Sequence, residues 1–134
     1  MILVDTSVWV EILRDRSGKA GRLFKKRVGD EVFALSRLTQ LELLQGAKDE
    51  REWKLLEEYL EGQYYLEAEE NTWKEAARIY FEMRRKGLTV GSSPVDCCIA
   101  QAALSWGALL LHRDQDFEKI AAVRPLKLAW FETR

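Results

Sequence analysis

Residues 1–10, MILVDTSVWV, decide how the rest of the chain is read. Ile2, Leu3 and Val4 form a short apolar run, and the Asp5, Thr6 and Ser7 that follow are all good helix N-cap residues. Val8, Trp9, Ile12 and Leu13 then recur at helical spacing, so the stretch reads as a strand feeding directly into a helix. It has neither a basic leader nor a small-residue cleavage site, so a strand is expected here instead of a signal peptide, and the cytoplasm is the expected location.

The same alternation continues downstream. After a Gly/Ser break at 17–21, a basic helix carries Arg22, Lys25, Lys26 and Arg27, and residues 31–35 read as a second buried strand. A third helix begins near Ser36, holds Leu38, Leu41, Glu42, Leu43 and Leu44, and stops before Gly46. Residues 50–61 place Trp53, Leu56 and Leu60 on one stripe of an amphipathic helix, and a short strand is expected at 64–66. From Thr72 to Arg85, the residues Trp73, Ala76, Ala77, Tyr80 and Met83 keep helical spacing, with Gly87 as a natural stop. Ser93-Pro94 opens a helix so apolar, from Val95 to Leu104, that burial on several sides is implied. A strand at 109–111, a helix at 114–122 and a strand at 126–131 complete the pattern.

Strands alternating with helices predict an α/β fold, a three-layer α/β/α sandwich around a mainly parallel sheet. At 134 residues the chain fits one domain over 1–134. Its 47% hydrophobic and 32% charged content is that of an ordinary globular protein, and no stretch reaches the roughly 18–20 apolar residues of a membrane span. The two cysteines, Cys97 and Cys98, are adjacent within an apolar helix, which suits neither a structural disulfide nor a zinc site and fits a reducing compartment. A net charge of −1 provides no global attraction to a polyanion, so any nucleic-acid binding must rely on local basic patches and bound cations.

Ligands of parallel sheets bind beyond the carboxyl ends of the strands. Asp5 and Asp114 each follow such an end, so both should emerge on one rim. Glu42 and Asp96 sit in helices otherwise almost devoid of polar residues, where an ionised carboxylate is costly unless a cation compensates it. Structural readings stand beside these. Asp5 can cap the first helix, Asp114 or Asp116 can cap the helix that begins there, and Ser93-Pro94-Val95-Asp96 matches a capping box. Glu42 lies past the first turn of its helix and has no use as a cap.

Four stretches together resemble the PIN-domain ribonucleases, particularly the VapC-type toxins of bacterial and archaeal toxin–antitoxin pairs: ILVDTSVWV, LTQLELLQG, SSPVDCCIAQAAL and LLLHRDQDF. The similarity runs over essentially the whole length. It implies a carboxylate cluster of Asp5, Glu42, Asp96 and Asp114 as catalytic and metal-binding acids, with Asp116 as a fifth member or a substitute. It also implies that Thr6 and Ser7 support the acids by hydrogen bonding. His112, the single histidine, departs from the Thr or Ser found at its place in many members of that family, and reads as a buried structural residue at a strand end.

Acids converging in one pocket raise one another's pKa unless a cation neutralises them, and oxygen-only ligation points to Mg²⁺ or Mn²⁺. Hydrolysis of a phosphodiester is the natural reaction of such a site. The preference for RNA follows from the resemblance alone, as do a homodimer and a small cognate antitoxin seated near the site, for which Trp9, Leu13, Trp53, Leu56 and Leu60 form the expected groove. The helix cluster Arg22 to Arg27, the run Arg84-Arg85-Lys86 and Arg113 are candidates for holding the RNA backbone, although such runs also serve as solvated faces. Two other readings of the same residues are a housekeeping RNA-processing nuclease without an antitoxin and a non-catalytic α/β binding module.

Overall fold

The computed structural model describes residues 1–134 and runs β1 (Ile2–Val4), α1 (Thr6–Arg14), α2 (Lys19–Val28), β2 (Phe33–Ala34), α3 (Arg37–Gln45), α4 (Glu50–Glu61), α5 (Thr72–Arg85), α6 (Pro94–Trp106), β3 (Leu109–His112), α7 (Asp116–Ala121) and β4 (Leu128–Trp130). The four strands form one parallel sheet in the order β2-β1-β3-β4. β1 lies inside it, with Ile2, Leu3 and Val4 opposite Leu109, Leu110 and Leu111. All three β1 residues are fully buried, which explains why the strand is a continuous apolar run with no polar alternation.

Strand alternation divides the core into two layers. Leu3, Ala34 and Leu110 point into one cluster with Ile79 and Met83 of α5, Ile99 and Ala103 of α6, and Phe117 and Ile120 of α7. Ile2, Val4, Leu35 and Leu111 point the other way, into a cluster with Val8 and Trp9 of α1, Phe24 of α2, and Leu56 and Leu60 of α4. Both faces of the sheet are therefore covered by helices, the expected α/β/α sandwich. No helix is long and apolar enough to cross a membrane.

Local chemistry sets the helix ends. Asp5, Ser36, Asp49 and Ser93 each stand in extended backbone at an N-cap and accept a backbone N–H with the side chain. Pro94 follows the last of these caps, and Gly107 closes α6 in the left-handed region at φ 64°. The structure shortens several expected elements. The strand at 64–66 is only a parallel bridge of Tyr65 to Leu35 at the sheet edge, the last strand contracts to Leu128–Trp130, and α7 begins at Asp116 instead of 114.

Candidate active site

The cleft at the carboxyl ends of β1 and β3 begins with Asp5, the first residue past β1. Its carboxylate accepts the Ser7 backbone N–H at 3.0 Å and the Ser7 hydroxyl at 2.6 Å, so Asp5 is the α1 cap. The same Ser7 hydroxyl accepts the backbone N–H of Arg113 at 2.9 Å, which ties the end of β1 to the end of β3. Asp5 is 5% exposed. Burial raises its pKa above the ordinary carboxylate value, the Ser7 and Thr6 hydrogen bonds oppose that rise, and Asp114 adds to it.

Glu42 reaches the cleft from α3. The Thr6 hydroxyl lies 2.9 Å from its Oε1 and equally 2.9 Å from the hydroxyl of Thr39, a fully buried residue in the same helix. Burial raises the Glu42 pKa, the Thr6 bond lowers it, and Asp5 raises it again. α6 supplies Asp96, whose backbone N–H donates to the Ser93 hydroxyl at 3.3 Å. The Asp96 carboxylate does not return a bond to Ser93, so only half of the expected capping box forms and the side chain is left to face the cleft. Its pKa is pushed up to about 7, by burial first and then by Asp114, Asp5, Asp116 and Glu42 in that order. All four other acids thus contribute to the rise at Asp96.

Asp114 accepts the Asp116 backbone N–H at 2.9 Å, a turn that precedes α7. Asp5, Glu42, Asp96 and Asp114 line a cleft of about 470 Å³ together with Thr6, Ser7, Val10, Glu11, Arg14 and Arg113. Asp116 lies outside that lining, yet oxygens of Asp96, Asp114 and Asp116 all fall within 4.8 Å of one another. The Asp96–Asp114 pair is common to both groups and is the centre of the constellation. Asp116 also has a structural task. Lys119 pairs with it at 2.9 Å and donates to the Val90 carbonyl, clamping the loop before α6 onto α7. Gly91 in that loop has φ 80°, and a Cβ there would stand 3.5 Å from an Asp116 oxygen.

His112 is fully buried between Phe117 and Trp130, with ring centroids 5.3 and 5.5 Å away. Its Nδ1 accepts the Asp114 backbone N–H at 3.2 Å, and its Nε2 has no hydrogen-bond partner. Burial holds its pKa below the usual histidine value, so the ring is neutral and steadies the backbone of Asp114. The expected structural histidine is therefore only half satisfied.

Sequence reasoning missed Thr39, Glu11 and Arg14. Thr39 carries a legible signal, a second hydroxyl three residues before Glu42, whereas Glu11 and Arg14 owe their place to α1 running along the cleft. Arg113 stands where expected and is held by the Phe131 carbonyl at 2.8 Å and the Thr133 hydroxyl at 3.1 Å. The α2 cations Arg22, Lys25, Lys26 and Arg27 are exposed and take no part in the cleft lining.

The PIN domain model matches residues 2–123. The chain belongs to the PIN-domain family. This PIN domain is 37% identical over 134 residues to a VapC ribonuclease of Mycobacterium bovis and to the ribonuclease VapC11 of Mycobacterium tuberculosis, covering 98% of this chain and 99% of each relative. Its fold matches a crystal structure of VapBC2 from Rickettsia felis bound to a promoter DNA fragment, with a TM-score of 0.80 and 20% identity, over 98% of this chain and 100% of that one. A DNA-bound VapBC from Salmonella typhimurium matches with a TM-score of 0.78 and 21% identity, over 98% of both chains.

The donor set of this PIN domain fits a hard divalent cation. Three carboxylates share a space small enough for one ion, all near ligands are oxygens, and the Asp96 pKa is raised by burial and by the four acids around it.

Proposed function

We propose that this PIN domain is a divalent-metal-dependent endoribonuclease and the toxin of a toxin–antitoxin pair. The observation that carries the reading is the arrival of Asp5, Glu42, Asp96 and Asp114 from four separate elements in one polar cleft, with Asp96 pushed up to about 7 by burial and then by its acidic neighbours. A fold that needed these acids only as caps would not direct Glu42 there. The names of the VapC relatives supply ribonuclease activity and the VapBC neighbours supply the kind of partner.

Asp5, Glu42, Asp96 and Asp114 are the proposed holders of Mg²⁺ or Mn²⁺, with Asp116, whose oxygen lies within 4.8 Å of those of Asp96 and Asp114, as a fifth member or a substitute. When bound, such an ion supplies charge neutralisation for the acids, activation of water, and stabilisation of negative charge on the phosphate. The chain's own residues do the rest. Thr6 orients Glu42 with a hydrogen bond to one oxygen, leaving the other oxygen of that carboxylate available to water. Ser7 keeps the carboxylate of Asp5 turned into the cleft. Arg14 and Arg113 flank the acids and offer cationic contacts for phosphate on either side of the scissile bond.

The antitoxin seat is the groove between α1 and α4, about 450 Å³, lined by Trp9, Ile12, Leu13, Leu55, Leu56 and Tyr59. Trp53, on the exposed side of α4, lies beyond this lining, and Leu60 is core. A second apolar groove, where Leu41 and Trp73 are largely exposed, suits the homodimer. The proposed action on RNA and two free cysteines support a cytoplasmic location. The test is cleavage of a structured RNA by purified protein in Mn²⁺ or Mg²⁺, blocked by EDTA and by Asp96→Asn. Metal-independent cleavage, or an Asp96→Asn variant with parental activity, overturns the proposal. Growth arrest on expression, relieved by the product of the neighbouring gene, separates a toxin from a processing nuclease.

A further inference from the structure

The outer face of α5 carries a cationic and aromatic feature that the cleft does not use. Arg78, Phe81 and Arg85 are spaced three and four residues apart and therefore share one stripe of the helix. Three guanidinium groups converge on the single Phe81 ring, with Arg78 at 4.8 Å, Arg85 at 5.7 Å and Arg84 at 5.9 Å from its centroid. Arg78, Phe81 and Arg85 border a cleft of about 600 Å³ that also reaches Glu82 and Lys86. The one acid on the stripe, Glu82, is already taken. Arg124 binds both of its oxygens at 2.7 and 2.9 Å, and Arg78 adds a bond at 3.1 Å. Arg84, Arg85 and Lys86 are left without any carboxylate partner.

A cation near a helix C-terminus is favoured by the helix dipole, which accounts for Arg84 and Arg85 being basic. It does not account for Arg78 in the body of the helix, or for the convergence of all three on one ring. The position of the patch matters as much as its composition. Met83, between Phe81 and Arg85, places its sulfur 3.9 Å from that of Cys97, the residue after Asp96. The last turn of α5 is therefore packed against the first turn of α6, and the patch lies on the far side of α5 from the acid cleft.

We propose that Arg78, Phe81, Arg84 and Arg85 form a platform for single-stranded RNA that holds the strand beyond the cleavage site. Guanidinium planes and an aromatic ring stack unpaired bases, and the same guanidinium groups, with Lys86, pair with phosphates. A duplex hides its bases and an acidic peptide has no planes to stack, so the combination favours a single strand. The inference rests on the ribonuclease reading and extends it from the scissile bond to the length of strand that is gripped.

The experiment measures anisotropy of a fluorescent single-stranded RNA with the full chain in EDTA, where cleavage is blocked, and then KM and kcat in Mn²⁺. The variants are Arg84→Gln with Arg85→Gln, and Phe81→Leu, which keeps apolar volume but loses the ring; Lys54→Gln, an exposed charge change on α4, which covers the other face of the sheet from α5, is the control. The expected result is about tenfold weaker binding for the arginine pair, with the salt slope reduced by about 1 to 2. Phe81→Leu should weaken binding by a similar factor with the slope unchanged, and the loss in Mn²⁺ should fall on KM with kcat retained. Wild-type cleavage of RNA together with unchanged binding in both variants overturns the platform and leaves the ribonuclease reading intact. Loss of antitoxin binding in the arginine variant, with RNA binding unaltered, overturns it in favour of a protein contact. Absence of both RNA binding and cleavage in the wild type overturns both readings.

Discussion

The Ser7 hydroxyl accepts the backbone N–H of Arg113 at 2.9 Å across 106 positions of sequence, while donating to Asp5 at 2.6 Å. One small side chain thus sets the spacing of the two strand ends from which Asp5 and Asp114 project. Ser7→Ala leaves the backbone cap on Asp5 but strands the Arg113 N–H, at an expected cost of about 1–2 kcal/mol. Activity should fall by more than that loss of stability explains, because the acids lose their registration. Urea unfolding and RNA cleavage of the same preparation test this; a variant with parental kcat assigns Ser7 a purely structural role.

Metal should stabilise the fold. Binding to the native acids alone raises stability by mass action, about 2.7 kcal/mol at a hundred times Kd. The melting midpoint of the wild type should rise from EDTA to millimolar Mn²⁺, and the rise should vanish in Asp96→Asn. Equal midpoints in the two buffers count against the proposed site.

The pH dependence of the metal-free protein follows from Asp96. Its folded pKa of about 7 lies above the ordinary 3.8, so between these values the native state keeps a proton that the unfolded chain has lost. Stability therefore falls as pH rises through this window, with the penalty absent below about 4 and complete above about 7. Asp5 and Glu42, also raised, act in the same direction. His112, lowered by burial, opposes them, because it withdraws stability as pH falls below 6.5. The difference between wild type and Asp96→Asn isolates the carboxyl. In EDTA the variant should be the more stable at pH 8, and its advantage should shrink toward pH 5; a pH-independent gap removes Asp96 as the titrating group.

A test of the proposed antitoxin groove needs exposed positions. Trp9 is 4% exposed and stacks on Phe24 at 5.1 Å, so Trp9→Ala would cost roughly 3–5 kcal/mol and mix unfolding with loss of binding. Leu13 and Leu55 are 58% and 59% exposed. Leu55→Glu should change stability by no more than about 0.5 kcal/mol. It should nonetheless weaken relief of growth arrest by the co-expressed partner. Full relief with this variant moves the partner off the α1–α4 groove.

The order of strands and helices was legible because each buried strand is an apolar run and most helices open on a side chain that caps them. The short ends were harder. Leu126 to Phe131 looks like one strand, but Arg124, drawn to Glu82, and the turn after it delay pairing until Leu128. The shared rim of Asp5 and Asp114 was legible from the strand ends, and the full cluster from the family resemblance, whereas the closest grouping was not: that Asp96, Asp114 and Asp116 converge, with Asp116 also paired to Lys119, depends on the turn at Asp114 and on the clamp at Val90. The tryptophans illustrate the limit of counting. Trp9 is core, and Trp53, Trp73, Trp106 and Trp130 are 40–57% exposed, a division that depends on which side of its helix or strand each one occupies.

The location of β1 inside the sheet has a consequence for synthesis. It pairs with β3, and the Ser7 link to Arg113 closes 106 residues after it begins. At translation rates of about 5–20 residues per second, on the order of ten seconds separate the emergence of Asp5 from that of Asp114. Over that interval the nascent chain gains Glu42 and then Asp96 but has no complete cleft. Until the turn at Asp114 has been made, the two strand ends that frame the cleft cannot be joined through Ser7.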